Sequence, residues 1–558
     1  MAKKSDKEKR QKKQSAIKTV LPLRYPLLFL AALVIIVYSA SIGFGYTKLD
    51  DTIFIQDYKA YNEDVGNLIT SFKRGVFHET KDTYYRPLFL NSMILNNVFS
   101  GQNVAGYHLV NVLIHLFVVL LLFRLLQKIG LRDLHALILT GIYAVHPVLA
   151  QNVVWIPGRN DTLLAIFVLL FLKKSIDYAQ LQKTSTLLWS FLWLLCAYFT
   201  KETAVFAPVS ALLILVFVLK INWRTKSNLI QYGMWVLAFI IWYVARSAAS
   251  IVGSEADPHE LATGLVERFP LLVQYIGKIF LPFNLSPFPI MEDTVYYYGI
   301  AGILLLITII VLAKEKDWKK ILAGLLIFLS FLVPVFLVPA AINTQTFEHR
   351  LYLPMIGMLI VLSQTALFNN RFDEKQLLTG GTLLIIILAV LNFLHQRHFK
   401  DELSFWTQAV KTSPNSAYAI MMLGAKLEDP AEGAKMFRRA YAIDSTEKYI
   451  NYYYGAMLQY QDSILESERY LLAEKQRSDF VECDFMLARV AVEKNNIPAA
   501  IEYLENFLAR APLHDLGNTN LLQLYVQSGD LVKARLQMIS MDQKGLPVAE
   551  EVRKVIGG

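Results

Sequence analysis

Two adjacent carboxylates, Asp50 and Asp51, lie in the stretch GYTKLDDTIF, where a long apolar run stops. Like charges side by side at the edge of a low-dielectric slab raise each other's cost of ionisation. Such a pair is either a solvated loop or a place where a base is needed. Cationic residues with polar or acidic neighbours recur at comparable boundaries: Arg86 in YYRPLFL, His146, Arg159 and Asp161 in AVHPVLAQNVVWIPGRNDTLLA, Lys201 and Glu202 in YFTKETAVFAP, and Glu348, His349, Arg350 and Tyr352 in TFEHRLYLP. Arg holds a phosphate through two parallel hydrogen bonds, and Lys neutralises it as a point charge. Taken singly, each such cation is also a snorkelling anchor; three separate basic sites at one depth favour an anionic headgroup. In GYHLVNVLIHL, His108, Asn111 and His115 share one helix face, which must look onto protein or a water-filled cavity. Interhelical hydrogen bonding is the plainer reading of that stripe. A carboxylate that takes a proton from a hydroxyl, beside cations that stabilise a departing phosphate, is the chemistry of transfer from a phosphate-activated donor.

The elements that must position these groups are apolar helices. Of 558 residues, 54% are apolar and 18% charged, with a mean hydropathy of +0.38, values of a polytopic membrane protein. Hydropathy and flanking charge predict about eleven spans, near 25–45, 106–127, 133–149, 161–178, 185–200, 203–219, 229–249, 297–313, 321–339, 350–367 and 377–395. Residues 1–24 hold nine Lys/Arg against two acids, which reads as a disordered cytoplasmic tail and accounts for most of the net charge of +9; nucleic acid is not implied. With that tail inside, Lys128, Arg132, Lys173, Lys174, Lys183, Lys220, Arg224, Lys226, Lys314, Lys316, Lys319, Lys320, Arg371 and Lys375 fall on the cytoplasmic side. Two long loops, roughly 46–105 and 250–296, and the chain beyond about residue 396 then share the opposite face.

Residues 414–540 repeat with a period near 34. Small residues recur at Gly433, Ser467, Ala500 and Ala534, and Gly455, Ala488 and Leu522 stand twelve before the last three, with Pro512 twelve after Ala500. The pattern is similar to tetratricopeptide (TPR) repeats, whose stacked helix pairs form a groove for extended peptide or protein; a structural cap or an oligomerisation surface is the alternative. Cys196 and Cys483 are too few and too far apart to argue a disulfide framework.

In order along the chain, DD, YRPL, YHLVNVLIHL, AVHP…GRND, KE, LPFNLS, EHRLYLP and FWTQAVKTSPNSAYAIMMLG resemble the transmembrane-and-TPR O-mannosyltransferases, over nearly the whole length. The resemblance implies an all-α GT-C fold: a tail over 1–24, a membrane catalytic domain over 25–395 and an extracytoplasmic TPR domain over 396–558. It implies a polyprenyl-phosphate- or diphosphate-linked sugar donor and protein Ser/Thr acceptors. For a prokaryotic relative it implies the periplasmic face of the inner membrane. Asp50 would be the base, with Asp51 orienting it or touching the acceptor. Arg350 and its neighbours would hold the donor phosphate; the reading of the basic sites adds Lys201, Arg159 and Arg86, supported by Glu348, His349, Tyr352, Glu202, His146, Asp161 and His108. His349 separates Glu348 from Arg350, a departure from the family's segment, so mannose is not implied. Many GT-C enzymes act without metal while oligosaccharyltransferases need one, so the resemblance implies no definite cofactor and leaves a divalent metal open; the sequence shows no compelling divalent-ion constellation. A lipid or cell-surface glycan acceptor, and a non-catalytic anchored TPR scaffold, stay open as alternatives.

Overall fold

The computed structural model describes residues 25–77, 84–249, 258–337, 344–369, 372–478 and 480–557; the basic tail and parts of both long loops lie outside them. Among the described residues every element is helical, apart from one bridge between Ile290 and Gln345. They form two compact units, through Gln408 and from Ala409. The sequence places the boundary earlier, near 396. The intervening stretch folds with the first unit because Phe399, Phe405 and Trp406 are fully buried there, with Trp406 against Phe288 at 5.6 Å.

Among the described residues of the first unit, five helices are long and apolar enough to cross a membrane: Pro26–Gly43, Val104–Lys128, Lys226–Ala248, Trp318–Phe336 and Glu374–Phe399. Asp133–Val145 and Pro147–Val154 make a sixth if they are counted as one span bent by 53°; shorter apolar helices run over Thr184–Thr200, Glu202–Val218, Leu271–Phe280 and Tyr297–Val311. Other segments read from the sequence as spans fall on broken or shorter helices for local reasons. Pro147 removes a donor just after His146 and breaks the third segment. The Arg159–Leu181 helix carries Lys173, Lys174 and Asp177 in its second half. The 350–367 segment starts as a 3-10 turn and gives only the nine-residue helix Pro354–Leu362.

Without a hydrophobic drive between spans, close approach and buried hydrogen bonds hold helices together. Gly324 and Gly357 face each other so closely that a Cβ on either would meet the other's carbonyl oxygen, at 2.6 and 2.4 Å. Asn392 donates to the Tyr38 hydroxyl at 2.8 Å and the Val145 carbonyl at 3.2 Å, and Gln396 to the Val37 carbonyl at 2.7 Å. These bonds tie the last span to the first and to the bent pair.

In the second unit the helices pair as Ala417–Gly424 with Pro430–Ile443, Ile450–Tyr460 with Ile464–Ser478, Glu482–Glu493 with Ile497–Arg510, and Asp515–Gln527 with Leu531–Gln543, each packing on its sequence neighbours. The small residues of the repeat sit where helices cross: Ser467, Ala500 and Ala534 are fully buried. A Cβ on Gly433 would lie 2.9 Å from the Gly424 carbonyl oxygen.

Candidate active site

The first span ends in the 3-10 turn Ser39–Gly43, and the chain then makes an irregular loop. Lys48 and Asp50 both adopt left-handed backbone, φ +55° and +64°. A non-glycine residue there is strained, and such strain persists only where surroundings enforce it. Asp51 supplies the enforcement. Its Oδ2 accepts from Thr47 N at 2.6 Å and Thr47 Oγ1 at 3.0 Å, its Oδ1 from Thr52 N at 3.0 Å, and it is 1% exposed. Trp155 closes the other side, its indole N–H donating to the Leu49 carbonyl at 2.7 Å.

The two acids therefore differ. Asp51 has committed both oxygens, whereas the half-buried Asp50 carboxylate makes no hydrogen bond to the described residues. Burial pushes Asp50 up to about 6, with the Arg86 charge pulling the other way. Burial likewise raises Asp51 to about 6, against its bonds to Thr47 and Thr52 and with a contribution from Asp50. A carboxylate poised near 6 with free lone pairs suits a general base.

Arg86 forms a fork on Glu202, Nε to Oε2 at 3.0 Å and Nη2 to Oε1 at 2.6 Å, and Lys201 pairs with Asp161 at 2.7 Å. The charges of Arg86, Lys201 and Arg350 all reach His349. His349 stacks on Phe347, 5.0 Å between centroids, and lies 5.5 Å from Trp155, while Asn152 donates to its carbonyl at 2.8 Å. Through Trp155 the carboxylate loop and the Glu348–Leu351 turn become one assembly. Arg350 spends one bond on the Gln345 carbonyl at 3.1 Å and stacks over Phe347 at 5.9 Å.

Other sequence candidates are placed differently. Arg159 is entirely enclosed, donating to Asn111 Oδ1 at 2.7 Å, Asn96 Oδ1 at 2.8 Å and the Tyr107 and Ser92 carbonyls at 2.9 and 3.2 Å. It clamps helices together and has no free edge for a phosphate. His146 accepts from Val148 N at 3.3 Å on Nδ1 and so carries its proton on Nε2, which faces the Ile279 carbonyl at 2.9 Å. Tyr352 is buried against His115, hydroxyl to Nδ1 at 2.6 Å. His108 is buried edge-on to Phe44, at the root of the carboxylate loop.

Sequence reasoning missed Thr47, Trp155 and Lys278. Lys278 is 3% exposed, and its Nζ lies 2.6 Å from Glu348 Oε1, which also accepts from Ser286 N at 2.9 Å. A single charge in the apolar run YIGKIF was the available signal. Among the described residues no three His, Cys, Asp or Glu side chains gather as a metal-ligand set.

No family model matches the chain. It is similar to the TMTC protein O-mannosyl-transferases. It is 30% identical over 254 residues to the Homo sapiens protein O-mannosyl-transferase TMTC2, a match covering 40% of this chain and 29% of that protein. It is 23% identical over 406 residues to Homo sapiens TMTC1, covering 62% and 46%, and 27% identical over 251 residues to Xenopus laevis tmtc2, covering 40% and 29%. The matches thus span less than half the length of these curated relatives.

Proposed function

We propose that this chain is a membrane-embedded protein O-glycosyltransferase. In this reading it moves a sugar or oligosaccharide from a polyprenyl-phosphate or -diphosphate carrier to Ser/Thr hydroxyls on the periplasmic face of the inner membrane. The observation that carries the reading is the unbonded Asp50 carboxylate, held in left-handed backbone by the committed carboxylate of Asp51. The names of the relatives support sugar transfer to protein. The departure at His349 leaves the sugar open.

The acceptor hydroxyl gives its proton to Asp50 as its oxygen bonds to the anomeric carbon. The bond from that carbon to the phosphate oxygen breaks, and the electron pair leaves with the carrier phosphate, which cations stabilise. Direct attack by the hydroxyl is a single displacement, so the anomeric centre inverts. The C-terminal helix hairpins, by likeness to TPR repeats, bind the acceptor protein.

The test uses the purified full-length protein in proteoliposomes, with a radiolabelled polyprenyl-phosphate sugar and a Ser/Thr-rich acceptor peptide. Labelled glycopeptide is expected, reduced ~100- to 10,000-fold by Asp50→Asn, the usual range for loss of a general base. Label entering only lipid or glycan would replace the protein acceptor. Absence of turnover with any polyprenyl-linked sugar would return the chain to a scaffold role.

A further inference from the structure

Arg268 closes the Pro258–Arg268 helix, has no accessible surface, and none of its three guanidinium nitrogens has a hydrogen-bond partner among the described residues. A guanidinium carries five N–H donors and a permanent charge, so burying it unbonded is among the least favourable things a fold can do. Buried charges are ordinarily paired and hydrogen-bonded. The C-terminal dipole of its own helix favours a cation but makes no bond to this one. Glu267 and Glu292 lie within electrostatic reach and offset part of the charge without bonding it.

A second cation comes from another element. Arg350 also lies within electrostatic reach of Arg268, which it repels, and among the described residues its side chain donates one well-aligned hydrogen bond, to the Gln345 carbonyl. Tyr275 is fully buried beside both arginines, and its hydroxyl has no well-aligned partner. Arg86 and Lys201, in contrast, are already neutralised by Glu202 and Asp161. Two mutually repelling guanidinium groups with unspent donors are unfavourable alone and favourable around a dianion, because Arg binds phosphoryl oxygens through paired N–H bonds.

We propose that Arg268 and Arg350, with the Tyr275 hydroxyl, form a seat for a phosphoryl group, that of the lipid carrier. The proposal rests on the transfer reading above and moves the carrier phosphate away from Arg86 and Lys201. Arg268 belongs to none of the motifs that carry the family resemblance.

The full-length protein in nanodiscs is titrated with farnesyl phosphate, inorganic phosphate and farnesol. Farnesyl phosphate should bind the wild type and farnesol should not. Arg268→Gln should weaken the phosphate probe ~10- to 100-fold, the worth of one or two charge-assisted hydrogen bonds. Arg268→Lys should recover part of the loss. Among the described residues nothing bonds Arg268, so Arg268→Gln should raise the melting temperature in phosphate-free buffer, whereas loss of a structural arginine would lower it. Inorganic phosphate as tight as farnesyl phosphate would assign the seat to free phosphate; markedly tighter farnesyl phosphate assigns it to the carrier. Equal affinities in wild type, Arg268→Gln and Arg350→Gln, all folded, would overturn the seat. Retained sugar transfer would then leave the functional reading standing. Arginine-dependent phosphate binding without any sugar transfer would remove the functional reading and leave the seat.

Discussion

The Lys278–Glu348 ion pair offers the sharpest energetic consequence of the fold. Both side chains are almost wholly removed from water, 4% and 1% exposed, and one Glu348 oxygen accepts from both Lys278 Nζ and Ser286 N. Glu348 opens the 3-10 turn that carries His349 and Arg350, so the pair fixes the geometry of that turn. Lys278→Met leaves a carboxylate buried with one backbone donor, and breaking a buried pair from one side costs about 3–5 kcal/mol. Glu348→Gln strands the ammonium at similar cost. The double replacement removes both charges and should cost only about 1–2 kcal/mol, giving a coupling of ~3 kcal/mol or more in a double-mutant cycle. The pH dependence supplies an independent sign. Burial already raises Glu348 above its ordinary range, against Lys278 and Ser286. Without Lys278 the folded state holds its proton more tightly still, while the unfolded chain titrates normally. Lys278→Met should therefore regain stability as pH falls through the folded value and lose it as pH rises. The assay is reversible unfolding in mixed micelles at pH 5 and pH 8, with the transfer rate measured alongside. Costs that simply add, with coupling below about 0.5 kcal/mol and no recovery at pH 5, would refute the reasoning.

Asp51→Asn should open the carboxylate loop, because an amide cannot accept from both Thr47 N and Thr52 N; hydrogen exchange at residues 47–52 should quicken, while Asp50→Asn leaves it unchanged. Trp155→Phe keeps the ring but deletes the bond to the Leu49 carbonyl. It should lower kcat ~10-fold with little change in donor KM, and an unaltered kcat would dissociate Trp155 from the base. A chain ended after Gln408 should keep the first unit folded, whereas one ended after Phe399 loses Phe405 and Trp406 from its core and should aggregate on extraction; monodispersity by size exclusion reads the difference.

Helical, multi-span character was legible because apolar runs and flanking charge are properties of composition over many residues. Helix continuity was less so: a hydropathy window averages across Pro147 and across the 3-10 turn at Glu348, and reports continuous helix where the backbone breaks. The helix hairpins beyond residue 416 were legible because small residues recur where backbones must approach, as at Gly433 against Gly424. At the candidate site, sequence marks chemistry at helix ends but not where a side chain points. Arg86, Lys201 and Arg350 share a neighbourhood with His349, while Arg159, of the same chemistry, turns into the helix bundle. Asp50 and Asp51 are indistinguishable as letters and are separated only by the left-handed turn and by Thr47. Lys278, Trp155 and Arg268 act through partners more than 60 residues away in sequence or through having none, and no local pattern encodes either.

The role of Asp50 is tested most directly by kcat/KM for sugar transfer as a function of pH in the free-enzyme limit. The base works ionised, so the wild-type rate should climb between pH 5 and 7 along a limb centred near 6 and then level off. The residual rate of Asp50→Asn should be low and flat across that range. A wild-type profile without that limb, or the same limb surviving in Asp50→Asn, would contradict the assignment.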